Sequence, residues 1–381
     1  MKKIIHFLLK KGVEIQQRKH YKMHWHKEIE EYKKAKDKKN KIRIFLEKLY
    51  LRLYWGCSPM HYIRYGFYKK DCKLSLSEMR EYMPNFFAYF LFMPRYFGGV
   101  AEISRNKDLT QVYLKGLKLP YPRVIIKYDN NLFYDNENNL LSQEDAYEKL
   151  MNSGAEKLFI KPSEGLGGYG IIVFSKTEKG YITRQGTMLD MNFMKTHFSK
   201  GRFIVQEGIR QHPQMSKLFP GAVNTLRIVT LVEKDKPRIL FAFLRMGRDE
   251  VEVDNASQGG IFCMVDQETG DLAKYAFSDN KEQFEYHPNT KIQFSRTTLP
   301  DWESTKKFIL SAAIKCKELP FIGWDIAITE EGPVIIEMNE GPGIEVIQDL
   351  YGGISKILNV GNPRKWWFYD KFSTYYPAKI A

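Results

Sequence analysis

Apolar residues recur at two different periods along this chain, and the change of period divides it. Over residues 1–54, Ile4, Ile5, Leu8 and Leu9, then Ile42, Phe45, Leu46, Leu49 and Leu53, fall three and four apart with basic residues between them. That spacing predicts helix, broken only at the almost wholly polar stretch 33–41, which reads as a solvated helix or a linker. From 54 to 71 the chain (Y-W-G-C-S-P-M-H-Y-I-R-Y-G-F-Y-K-K-D) turns aromatic, with Gly and Pro breaks. Aromatics at this density predict core packing ahead of a sugar-stacking platform. Pro84 and Pro94 bracket a further aromatic helix at 86–92.

Beyond residue 100, short β-rich runs take over. Strands are predicted at 202–206 and on either side of the glycine-rich loop in 156–175, and the runs 224–232 and 238–246 read as an antiparallel pair around the polar turn 233–237. Helices are predicted at 109–117 behind an Asn106 cap, at 142–152 behind Ser142 with Asp145 three residues on, and at 302–316.

The last two β-rich runs carry the first candidate chemistry. Residues 323–329 and 333–339 flank Glu330-Glu331-Gly332, a hairpin signal. If Thr329 opposes Pro333, then Asp325 opposes Glu337 and Gly323 opposes Asn339, with all three polar side chains on one face. Facing carboxylates repel. A cation between them removes the repulsion, and hard oxygen ligands suit Mg²⁺, which borrows further oxygens from a substrate phosphate. A solvated acidic hairpin is the plainer use of these residues alone.

A second stretch lies earlier, F-I-K-P-S-E-G-L-G-G-Y-G at 159–170. Glycines at 165, 167, 168 and 170 let backbone N–H groups approach phosphate oxygens, and Lys161 adds a point charge. No G-K-[ST] follows, and the loop leads to a strand, so it is neither a Walker A loop nor a Rossmann fingerprint. By itself it reads as a surface hairpin.

Taken in order, F-I-K-P-S-E-G-L-G-G-Y-G, G-W-D-I-A-I and I-I-E-M-N-E-G-P-G resemble the ATP-grasp superfamily of carboxylate-amine ligases. N-T-L-R-I-V-T and D-N-A-S-Q-G-G-I resemble its sugar-transfer-associated branch, as does the aromatic 54–71 segment. The resemblance covers roughly 104–357. It implies an α+β ATP-grasp fold of two subdomains clasping ATP behind a basic, largely helical N-terminal region. The expected divisions are 1–100, a first lobe at 101–205 with the phosphate loop, a second at 206–360 with the metal site, and an aromatic tail at 361–381.

The resemblance also implies roles. Lys107, Lys161, Glu164, Gly165, Gly167 and Gly168 fall at the nucleotide phosphates, and Gln206, Glu207 and Ile209 at the adenine. Asp325, Glu337 and Asn339 fall at Mg²⁺, with two ions expected. Asn106 stands where the family has an acid before the lysine. The ribose acid has no match, because 210–221 is a different, longer loop. Where the family places an arginine two residues before the first metal acid, this chain has Gly323. Arg227 and Arg245 each interrupt an apolar strand and need an anion if buried. One of them is expected to steady the reacting centre, with a buried acid as the alternative partner. Asn255 is expected beside the transferred phosphate.

The implied reaction activates a carboxylate with the γ-phosphoryl group of ATP and lets an amine attack the acyl-phosphate. The expected ligase joins an amino acid to a uronic acid or amino sugar during polysaccharide or capsule biosynthesis. A kinase of a sugar or lipid hydroxyl, or a non-catalytic nucleotide-binding partner of a glycosyltransferase, are the alternatives.

Charge adds a partner to this picture. Residues 1–80 hold 22 of the 59 lysines and arginines against 8 of the 45 acids, a surplus of 14, while the remainder holds 37 of each. The N-terminal region is therefore the basic part, and residues 1–54 either lie on an anionic membrane surface, near lipid-linked glycans, or form a solvated helix. Nucleic acid is not expected without a recognised module. No apolar run reaches the roughly 18 residues of a span. Ile4 to Leu9 is too short for a signal-peptide core, contains His6 and precedes no cleavage site. Cys57, Cys72, Cys263 and Cys316 lack metal spacing and point to the cytoplasm. His20, His24 and His26 read as helix surface.

Overall fold

The computed structural model describes residues 2–165, 168–199, 201–249 and 259–368, apart from the side chains of Lys2 and His24. The chain divides into two compact units, Met1–Gly98 with Gly341–Ala381, and Gly99–Glu340.

In the first unit, helices α1 (Lys2–His24), α2 (His26–Lys34) and α3 (Lys41–Trp55) follow the helical period. The polar stretch between α2 and α3 is an anchored linker: Lys39 N donates to Tyr68 O at 2.9 Å, and the buried Lys39 ammonium meets Glu47 at 3.1 Å. The aromatic stretch is core. Tyr62, Phe67 and Tyr68 pack with Ile44, Leu51 and Met79, and the Trp55 ring meets Phe87 edge-on at 4.6 Å. The expected helix between Pro84 and Pro94 is a π-helical turn, Phe87–Phe92.

The C-terminal segment packs within this unit. In the helix Ile344–Tyr351, Gln348 Oε1 accepts from Met83 N at 2.6 Å and Glu345 accepts from the Tyr89 hydroxyl at 3.0 Å. Ser355 donates to Glu81 at 2.5 Å. These bonds to 81–89 keep the segment after Gly341 in the first compact unit.

The second unit holds two seven-stranded sheets whose recorded pairings are all antiparallel. The first comprises β1 (Val124–Asp129), β2 (Leu132–Asp135), β3 (Leu140–Leu141), β4 (Lys157–Pro162), β5 (Ile172–Thr177), β6 (Gly180–Ile182) and β7 (Arg202–Glu207), in the order β3-β2-β1-β7-β4-β5-β6. Ile126, Tyr128, Leu158, Ile160 and Val205 face the helix Gln143–Met151 through Ala146 and Leu150. That helix starts on the predicted Ser142/Asp145 capping box.

The second sheet comprises β8 (Thr225–Glu233), β9 (Lys236–Met246), β10 (Ile261–Val265), β11 (Leu272–Ser278), β12 (Gln283–Phe284), β13 (Phe321–Thr329) and β14 (Gly332–Asn339), in the order β12-β11-β10-β9-β8-β13-β14. Strand β13 lies between β8 and β14 and is buried along its whole length, which explains its near-continuous apolar run.

The hairpin differs from expectation in one detail. Thr329 pairs with Gly332, so the turn is only Glu330-Glu331, and a bulge at Ile336 between two registers restores Asp325↔Glu337 and Gly323↔Asn339. Among the described residues no helix is long and apolar enough to cross a membrane.

Candidate active site

Asp325 sits mid-strand in β13, with Arg227 of β8 opposite on one side and Glu337 of β14 on the other. Arg245, one strand further out on β9, pairs with Thr225 and so reaches the same carboxylate diagonally. Asp325 Oδ1 accepts from Arg227 Nε at 2.5 Å, while Oδ2 accepts from Arg227 Nη2 at 2.9 Å, Arg245 Nη1 at 3.0 Å and Asn339 Nδ2 at 3.3 Å. At 3% exposure, burial pushes this carboxyl's pKa up, but the charges and hydrogen bonds of the two arginines outweigh burial and hold it below the usual carboxylate value.

Lys107 joins three elements at the edge of the same region. Asn106 caps the helix Lys107–Gly116, its Oδ1 accepting from Asp108 N at 2.9 Å and Leu109 N at 3.2 Å. The cap holds Lys107 against the glycine-rich loop: Lys107 N donates to Ser163 O at 2.9 Å, and Asn106 bridges Glu164. From there Lys107 Nζ reaches Gly165 O at 3.1 Å and Glu337 Oε1 at 3.4 Å. Gly168, at φ 74°, adopts a left-handed turn that a side chain would strain. Lys161, one residue before the end of β4, holds its ammonium over the Phe159 ring, 5.6 Å from the centroid.

One cleft collects these groups, with about 920 Å³ of empty space open to solvent. Of the residues singled out in the sequence, Lys107, Lys161, Gly165, Gly168, Glu207, Ile209, Arg245, Asp325 and Glu337 line it. Glu164, Gln206, Arg227 and Asn339 are not in its lining. Strand alternation turns the Gln206 side chain away from the face of Glu207, and Arg227 and Asn339 bond to the cleft residue Asp325. Gly167 and Asn255 lie outside the described residues.

Phe159, Tyr169 and Thr225, not singled out in the sequence, also line the cleft, and Arg123 Nε donates to Glu207 at 2.6 Å. Arg123 follows the P-Y-P turn, next to the start of β1, and that position was its only signal.

The sequence matches the model of the sugar-transfer associated ATP-grasp family over residues 96–358, more than half of the chain. The chain belongs to this family. No curated protein matches its sequence. Among solved structures, D-alanyl-alanine synthetase A from Vibrio cholerae is 12% identical at a TM-score of 0.41, covering 71% of this chain and 68% of that one. The VanG D-Ala:D-Ser ligase from Enterococcus faecalis is 14% identical at 0.40, covering 69% and 61%. The N5-carboxyaminoimidazole ribonucleotide synthetase purK, solved with ADP, is 11% identical at 0.36, covering 63% of this chain but only 45% of its own length.

Within this ATP-grasp chain, the donors at Asp325, Glu337 and Asn339 suit one kind of metal occupancy. Three cations, Lys107, Arg227 and Arg245, stand on the two carboxylates. Among the described residues no group of three or more His, Cys, Asp or Glu side chains is arranged to hold a metal ion. Two carboxylates and an amide oxygen beside a phosphate-sized cleft fit Mg²⁺ that arrives with a nucleotide and keeps phosphate and water ligands. They do not make a cage for the free ion.

Proposed function

We propose that this protein is an ADP-forming ligase that joins a carboxylate to an amine, with a sugar on one side of the new amide. The observation that carries the reading is the meeting of Lys107, Lys161, Gly165, Gly168, Arg245, Asp325 and Glu337 in one cleft. The sugar rests on the family's description alone.

In this reading the aromatic and apolar lining residues Phe159, Ile209 and Ile336, with Glu207, take the adenine. Lys107, Lys161 and the loop N–H groups take the phosphates. Asp325, Glu337 and Asn339 would hold Mg²⁺, which supplies charge compensation between phosphate oxygens. A carboxylate oxygen of the acceptor attacks the γ-phosphorus while the β–γ bridging bond breaks and ADP leaves. The amine nitrogen then attacks the acyl carbon, phosphate leaves, and the amine proton passes to solvent. Arg245, which lines the cleft, would hold the anionic charge that develops at each step, and Arg227 would steady Asp325, the acid it shares with Arg245.

The test is ADP release from MgATP across a panel of uronic acids and amino sugars crossed with amino acids, with product masses read in parallel. Release that needs both a carboxylate and an amine, with an amide product, is expected. A stable phosphorylated sugar or lipid with no amine requirement would replace the ligase reading with a kinase.

A further inference from the structure

Helix α3 has two apolar faces, and only one of them is covered. Ile44, Leu51 and Trp55 are buried on the inner side. Ile42, Phe45, Leu46, Leu49 and Leu53 fall within roughly 100° of helical arc on the opposite side. Ile42 is 74% exposed and Phe45 64%. Helix α1 repeats the arrangement, with Ile4, Ile5, Leu8, Leu9 and Ile15 exposed. Ten large apolar side chains on two helices of one unit exceed the scattered exposure of ordinary surfaces.

The charges on the same helices choose the occupant. Lys3, Lys19 and Lys22 on α1 and Lys41, Arg43 and Arg52 on α3 are exposed. The acids on these helices, Glu14 and Glu47, are both buried and paired, Glu14 with Arg18 at 2.7 Å and Glu47 with Lys39 and Arg43. Every fully exposed charged side chain described on α1 and α3 is therefore a cation. A second copy of this chain would bring like charge against like. An anionic surface with an apolar interior meets both features, and no described helix is long and apolar enough to span it.

We infer that α1 and α3 dock this protein on an anionic lipid surface, the apolar stripes entering the interface and the flanking lysines and arginines meeting headgroups. None of these residues is a cleft residue, and the inference does not depend on the ligase reading.

The experiment uses the full chain and sedimenting vesicles of phosphatidylcholine, alone or with phosphatidylglycerol as a minority lipid. Wild-type protein is expected to pellet about tenfold or more with the mixed vesicles at low salt. The combined variant Phe45→Ser, Leu49→Ser, Leu53→Ser is expected to lose about tenfold of that binding while its circular dichroism and nucleotide affinity stay unchanged. Lys3→Gln, Lys19→Gln, Lys41→Gln is expected to lose the preference for mixed vesicles. Wild-type protein that stays in solution with both vesicle types overturns the inference without reference to any variant. So does undiminished binding by the serine variant, which would make the contact electrostatic alone. A concentration-dependent dimer that the serine substitutions dissolve would also overturn it, assigning the stripe to a second copy.

Discussion

Arg227 and Asp325 face each other across neighbouring strands and pair through two parallel bonds, Nε to Oδ1 at 2.5 Å and Nη2 to Oδ2 at 2.9 Å. Arg245 shares the same carboxylate at 3.0 Å, so one buried acid holds two guanidiniums together.

Asp325→Asn keeps the shape and removes the charge, leaving two guanidiniums on a buried neutral amide. The expected loss is about 3–5 kcal/mol of stability, the usual result of breaking a buried pair from one side. Urea unfolding at neutral pH reads it. Asp325 has a depressed folded pKa, so its contribution is present above the ordinary aspartate value of about 3.9 and disappears as pH falls through the lower folded value. The wild-type and variant curves should therefore converge only in strong acid. A loss under about 1 kcal/mol would mean that the arginines find other anions.

Magnesium alone should bind weakly, because Lys107 and the two arginines already stand on the carboxylates. Titration calorimetry is expected to show little heat for Mg²⁺ by itself and clear uptake of Mg²⁺ with ADP. Glu337→Gln should weaken the magnesium-dependent part about 10- to 100-fold, the range of one lost charge-assisted contact, and leave magnesium-free ADP binding nearly unchanged. Tight binding of the free ion would contradict the donor geometry.

The parts of the site that were legible in the sequence are those governed by strand alternation and local turns. Asp325, Glu337 and Asn339 could be aligned because period two fixes faces, and the alignment held although the turn was one residue shorter than expected, since the bulge at Ile336 absorbed the slip. The Asn106 cap and the Ser142 box were legible for the same local reason. What was not legible depends on strand order. That Arg227 and Arg245 converge on one acid follows from β8 lying between β9 and β13, an order no periodicity reveals. The docking of residues 344–355 against 81–89 is likewise a contact between distant segments, which no local pattern reveals.

Lys107 links the glycine loop to the hairpin through Gly165 O and Glu337. Lys107→Met removes both bonds and the charge, and nucleotide affinity should fall about 10- to 100-fold by loss of charged hydrogen bonds. Fold stability should change by less than about 1 kcal/mol, because an ion pair with this much solvent access contributes little. Lys107→Arg should recover part of the affinity, since it keeps the charge and changes the reach. Equal affinity for wild type and Lys107→Met would remove this lysine from the phosphate site.

His61 predicts how the first unit responds to acid. It is fully buried, neither ring nitrogen has a hydrogen-bond partner among the described residues, and burial alone lowers its pKa to about 3. The unfolded chain takes up a proton near pH 6.5 while the folded chain refuses it until about 3, so stability rises with pH through that window and falls on acidification. Between pH 6.5 and 5 the loss from this residue should be about 2 kcal/mol. His61→Phe cannot be protonated, and the edge-on contact with Phe67 at 6.3 Å indicates that an aromatic ring fits there. Thermal melts from pH 7 to 5 should be steeper for wild type than for His61→Phe, with the curves closest at neutral pH. Parallel curves would show that water or a neighbouring group reaches the imidazole and lets it titrate normally.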